Sequence, residues 1–131
     1  MSILIGKFLV EKLRKNSEIS KNIEDRIYPI VIPIGSAYPF IVYEDRGQGQ
    51  DETKDGPVSD NVSCTVTVVA KTYNEAVTLG QAARKAIEGK MACYDEFDVD
   101  ECVLTTWAKE YDDQLPAFTV SLNFEIKTTN V

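Results

Sequence analysis

Residues 116–128, PAFTVSLNFEIKT, alternate without a break. Phe118, Val120, Leu122, Phe124 and Ile126 fall on one parity, and Thr119, Ser121, Asn123, Glu125 and Lys127 on the other. Side chains of a strand point to opposite faces in turn, so this segment is a strand with one covered face and one wet face. Asn61–Lys71 repeats the pattern: Val62, Cys64, Val66, Val68 and Ala70 face one way, Ser63, Thr65 and Thr67 the other. Two such strands need something apolar laid over them. A chain of 131 residues is most simply one domain, residues 1–131, and the cover must come from within it.

Two segments have the spacing to supply that cover. From Ile3 to Lys15, Ile5, Phe8, Leu9 and Leu13 recur at helical intervals with Lys7, Glu11, Lys12 and Arg14 between them. Asn16-Ser17 interrupts that helix, and Ile19 and Ile23 support one further short turn. The second helix starts after the strand Asn61–Lys71, where Thr72 and Glu75 have capping-box spacing. It is expected over Tyr73–Glu88 with Gly89 just past its end and an inner stripe of Tyr73, Ala76, Val77, Gly80, Ala83 and Ile87. Small residues in mid-helix would let it lie close on the sheet.

The remaining strand candidates are the apolar runs Ile27–Ile34 and Phe40–Tyr43 and the segment Val103–Tyr111. Pro29 and Pro33 lack the amide that a central ladder needs, which marks Ile27–Ile34 as an edge or irregular strand. Val103–Tyr111 would form a hairpin with Pro116–Thr128 through a turn at Asp112–Leu115. Strict alternation puts Trp107 and Tyr111 on one face with Val103 and Thr105, either in the core or as interface anchors. Arg46–Asp60, RGQGQDETKDGPVSD, has almost no large apolar side chain and reads as a long polar loop, 46–60, within the domain. The expected fold is therefore α+β: a mostly antiparallel sheet of four to five strands, with two main helices packed on one face.

Chemistry is constrained mainly by what is missing. The chain has no histidine, which removes the commonest general base and the usual zinc ligand. Gly47-Gln-Gly49 opens no helix, so it is not a phosphate-binding loop. The acidic run Asp95–Glu101 has carboxylates two apart at Glu96, Asp98 and Asp100, but lacks the glycine and the distal glutamate of a calcium loop, and reads as a solvated loop. Cys64, Cys93 and Cys102 show no C-x-x-C spacing and read as reduced thiols of a cytoplasmic protein, with a Cys93–Cys102 disulfide as the alternative. The formal charge of −7 opposes nucleic-acid binding by a basic face. No apolar run approaches the roughly 20 residues that span a bilayer. No catalytic, cofactor-binding or metal-ligating residue is identified, so an enzyme is not expected and no cofactor is called for. An interaction protein remains.

A resemblance sharpens that conclusion. An amphipathic N-terminal helix is followed by Arg26-Ile-Tyr-Pro29, Pro33 and Gly35, then Pro39-Phe-Ile-Val-Tyr43, then a strand leading into Tyr73-Asn-Glu-Ala76 and two closing strands. In that order these pieces resemble the tail-completion (tail-terminator) family of long-tailed bacteriophages and prophages. The resemblance implies a non-enzymatic structural protein that forms a ring, commonly a hexamer, capping the tail tube and helping join tail to head. The implied partners are other copies of the chain, the tail-tube protein and head–tail connector proteins, with no nucleic acid and no membrane. The implied location is the virion and, before assembly, the cytoplasm of the host bacterium. The long 46–60 loop and the acidic 90–101 insertion depart from the family's compact pattern, and loops are where such rings are expected to make contacts. The competing reading is a small α+β ligand-binding or regulatory domain that dimerises.

Overall fold

The computed structural model describes residues 2–50 and 59–130. After a short 3-10 turn at Ser2–Leu4, helices α1 (Ile5–Lys15) and α2 (Ser17–Asn22) precede strands β1 (Ile27–Pro29), β2 (Phe40–Gln50) and β3 (Ser59–Ala70). Helix α3 (Tyr73–Ile87) and strands β4 (Ala92–Cys93), β5 (Phe97–Asp112) and β6 (Ala117–Asn130) complete the chain. The six strands form one sheet in the order β1-β2-β3-β6-β5-β4. Its pairs are antiparallel except β1–β2, which is parallel. The fold is α+β, as expected, but with six strands where four to five were expected and with α2 as a third, short helix.

The two alternating segments lie side by side as β3 and β6, with Val66 opposite Leu122 and Cys64 opposite Phe124. Their apolar face is covered by α3, and the stripe of α1, with Ile5, Phe8, Leu9 and Leu13 all buried, joins the same core from beside α3 and β2. Asn16 ends α1 and caps α2: its Oδ1 accepts from the Ile19 amide and its Nδ2 donates to the Ala82 carbonyl of α3, both at 3.2 Å. Thr72 caps α3 by accepting from the Glu75 amide at 3.3 Å. The buried face of α3 comprises Ala76, Leu79, Gly80, Ala82, Ala83, Ala86 and Ile87. It is turned from the expected stripe, leaving Tyr73 exposed and Val77 half-buried. Small residues do bring helix and sheet together: a Cβ on Gly80 would stand 2.7 Å from Cγ1 of Val120. Gly89, with φ of 76°, takes the left-handed position past the helix.

Three expectations are corrected. Ile27–Ile34 is a strand only to Pro29; Ile30 has φ of 64°, donates its amide to the Tyr43 carbonyl and turns the chain out of the sheet. The 46–60 loop is shorter than expected, because β2 runs on to Gln50 and β3 begins at Ser59, pairing Arg46 with Ser63 and Gln50 with Asp60. Residues 51–58 lie outside the described residues. The acidic run is also not a loop throughout, since Phe97 and Val99 are buried and begin β5 while Asp100 and Glu101 face solvent. Two apolar residues at strand spacing suffice to recruit that segment to the sheet.

Candidate interaction surfaces

No catalytic constellation was expected, and among the described residues the fold leaves two apolar surfaces uncovered. The polar face of the sheet is satisfied by its own cross-strand bonds. Thr65 Oγ1 donates to Asn123 Oδ1 at 2.8 Å, the Thr67 and Ser121 hydroxyls lie 3.3 Å apart, and Ser63 donates to Glu125. Such pairs stabilise a sheet and leave few groups seeking a partner.

The outer half of β5 is different. From Val103 to Asp112 every side chain except Leu104 is exposed. The strand pairs with β6 on one side only, because β4 reaches no farther than Val99. A bulge at Thr105 sets which side chains face the helices. Leu104 pairs with Phe124, then Thr106 with Asn123, so that Trp107, Lys109 and Tyr111 sit opposite the core-face residues Leu122, Val120 and Phe118. The extra residue breaks the alternation expected from sequence: Val103 lies opposite Glu125 on the polar face, away from Trp107 and Tyr111. Neither aromatic is core, with Trp107 at 55% and Tyr111 at 53% exposure.

Helix α3 covers β3 and β6 but stops short of β5, and the gap is a groove of two adjoining clefts. One, of about 180 Å³, is lined by Val77, Gly80, Gln81, Arg84, Trp107 and Lys109 with Val120 and Leu122 at its floor. The other, of about 190 Å³, runs between Tyr73, Tyr111 and Phe118, with Glu110 at its rim. Lys109 lies 5.3 Å from the Trp107 ring and 5.6 Å from the Tyr73 ring, and donates to the Tyr73 hydroxyl at 3.3 Å. Tyr111 and Tyr73 both meet Phe118 edge to face.

A second uncovered surface lies at the opposite edge of the sheet. Beyond β1, Ile30, Val31 and Ile34 are exposed at 72%, 69% and 105%. The loop that carries them is firmly based. Arg26 donates from Nε to the Pro39 carbonyl and from Nη2 to the Asn22 carbonyl, both at 2.9 Å. Ser36 donates to the Tyr28 hydroxyl at 2.8 Å, and the Tyr38 hydroxyl to the Leu115 carbonyl at 3.1 Å. Tyr28 and Tyr38 pack on Phe40 in a small core of its own with Val69 and Ala117. Glu24, Asp25, Glu44 and Asp45 are exposed along this edge.

The acidic and thiol side chains weighed in the sequence can be placed too. Among the described residues no three Asp, Glu or Cys side chains come together as a metal site. The three thiols are free: Cys64 and Cys102 are buried, Cys93 is exposed, and no Cys93–Cys102 disulfide forms. Burial pushes Cys102 up to about 12 and Cys64 further still. Glu11 is held below the usual carboxylate range by the Tyr94 hydroxyl at 2.8 Å and by Lys15. No helix among the described residues is long and apolar enough to cross a membrane.

Comparison with known proteins agrees with the resemblance read from the sequence. The family model described as "Tail completion protein gp17" matches residues 7–129. Among solved structures, a chain of one described as "Virion of native gene transfer agent (GTA) particle" shares the fold with a TM-score of 0.79. The match covers 92% of this chain and 91% of that one at 12% identity. No curated protein matches the sequence.

Proposed function

This chain belongs to the tail completion protein gp17 family and is a structural protein of phage tail assembly; from that premise we propose that it forms a ring ending the tail tube and helping to join tail to head. The observation that carries the ring is the outer half of β5, a long strand edge with Trp107 and Tyr111 exposed beside it. A soluble monomer seldom leaves such an edge open, since unpaired amides and carbonyls invite another chain. Cyclic symmetry fits a subunit whose two sheet edges differ, because head-to-tail contacts form rings wherever the rotation between copies closes.

The role is scaffolding and not catalytic, with tail-tube and head–tail connector proteins as partners, and its place is the virion after assembly in the bacterial cytoplasm. The charge of −7 supports protein partners over DNA. The dimerising ligand-binding alternative asks for an enclosed pocket, whereas the clefts beside α3 open along the β5 edge.

Light scattering and electron microscopy, on the protein alone and with tail-tube protein, test the ring. Closed particles of one size are expected in at least one of the two settings. Monomers in both would overturn the proposal.

A further inference from the structure

Resting on the ring reading, we infer that the ring contact is a knob in a groove: the Ile30–Ile34 loop of one copy seats in the α3–β5 groove of the next. The two surfaces match in kind. The knob presents three branched aliphatic side chains, which are stiff at χ1 and lose little freedom when buried. The groove offers two clefts of about 180 and 190 Å³ with aromatic walls. A cavity of about 150 Å³ holds a benzene ring, so each cleft is sized for a single such side chain.

They also match in place. In the order β1-β2-β3-β6-β5-β4 the knob follows β1 at one edge, and the groove lies beside β5 toward the other. A copy cannot fill its own groove with its own knob across the width of the sheet. Nor does a two-fold pairing of like edges bring the two surfaces together, whereas a head-to-tail repeat fills every groove. Charge is compatible with the same pairing. Glu24, Asp25, Glu44 and Asp45 outnumber the exposed Arg46 and Lys71 at the knob edge, where Lys71 stands 4.2 Å from the Tyr38 ring and the Arg26 guanidinium is engaged by backbone carbonyls and by Glu24 at 3.7 Å. The groove contributes Lys109 against Glu110 at its far rim, with Arg84 paired to Glu88 at 3.2 Å. The partner selected by these features is a second copy of this chain; tail-tube or connector protein on the same groove is the outcome that the test must separate.

Sedimentation velocity on Ile34→Asp and Trp107→Ala, singly and mixed, makes that separation. Both side chains are largely exposed in the free subunit, so cooperative melting should be retained; Gln81→Phe, which fills the groove from the solvent side of α3, replaces Trp107→Ala if that variant melts early. Each variant alone is expected to need at least about tenfold more protein to assemble, the effect of losing one buried aliphatic or aromatic anchor. An equimolar mixture retains one good knob and one good groove and is expected to yield dimers that grow no further. Wild-type rings with Ile34→Asp assembling equally well would overturn the knob while leaving the ring intact. Dispersed single variants that give no dimer on mixing would show that knob and groove meet different partners. A wild-type chain that stays monomeric, with and without tail-tube protein, would overturn the ring reading and this contact together.

Discussion

Leu122 stands at the centre of β6 with 3% of its surface exposed, opposite Val66 on one side and Trp107 on the other. Its truncation to alanine removes buried methyl groups where α3 lies too close to relax freely, as the Gly80–Val120 approach shows. The expected loss is about 2–5 kcal/mol, read from the denaturation midpoint. A midpoint unchanged from the parent would mean that the faces of β6 are reversed. The buried thiols make a second expectation. Cys102 is raised from its ordinary value of 9.0 to about 12 because the thiolate would be formed in apolar surroundings. A raised pKa favours the protonated form in the folded state, so this contribution to stability is complete below pH 9 and is lost as pH climbs toward 12. Cys64, raised by the same cause, acts in the same direction. A thiol reagent at neutral pH is therefore expected to label exposed Cys93 alone in the native protein, and all three cysteines in denaturant. Rapid native labelling of Cys102 would contradict the burial.

At the scale of elements, β5 shows how one residue decides which face a strand presents. The bulge at Thr105 turns Trp107, Lys109 and Tyr111 toward α3. Deleting Thr105 is expected to close the ladder with Leu104 still opposite Phe124 and Trp107 still opposite Leu122, so that the three side chains stay on the helix face and assembly is retained. Quenching of Trp107 fluorescence by a neutral quencher before and after deletion, with assembly measured alongside, checks it; a Trp107 turned to the Thr/Ser face, with assembly lost, would show that the extra residue of β5 does not lie at Thr105. This is also where the sequence was least legible. Alternation in β3 and β6, helical spacing in α1 and the Thr72 cap are patterns of period and local bonding, and each could be read directly. A bulge leaves no such mark, because Val103-Leu-Thr-Thr-Trp107 alternates equally badly on either reading. The exposed Ile30–Ile34 loop was hidden for another reason: aliphatic residues suggest burial, and only the left-handed turn at Ile30 sends them outward. The family resemblance in Arg26–Tyr43 marks this loop's foundation. Arg26, Tyr28, Pro39 and Phe40 serve to hold it in place.

For the whole molecule, the sheet's width matters as much as its core. Four central strands carry the packing, while its two margins carry different surfaces. A subunit of this kind obeys a simple count. Every open arc, whatever its length, leaves one knob and one groove exposed, and only the closed set leaves none. The last contact forms between ends already tethered to each other, at an effective concentration that for short tethers is of millimolar order. Arcs are therefore expected to be scarce at every protein concentration, and a dilution series followed by mass photometry should show two populations, single chains and finished rings. A smooth ladder of intermediate sizes would mean that the ends do not meet. With two dissimilar margins the subunit needs no template to know when to stop growing: completion is signalled by the disappearance of its own ends.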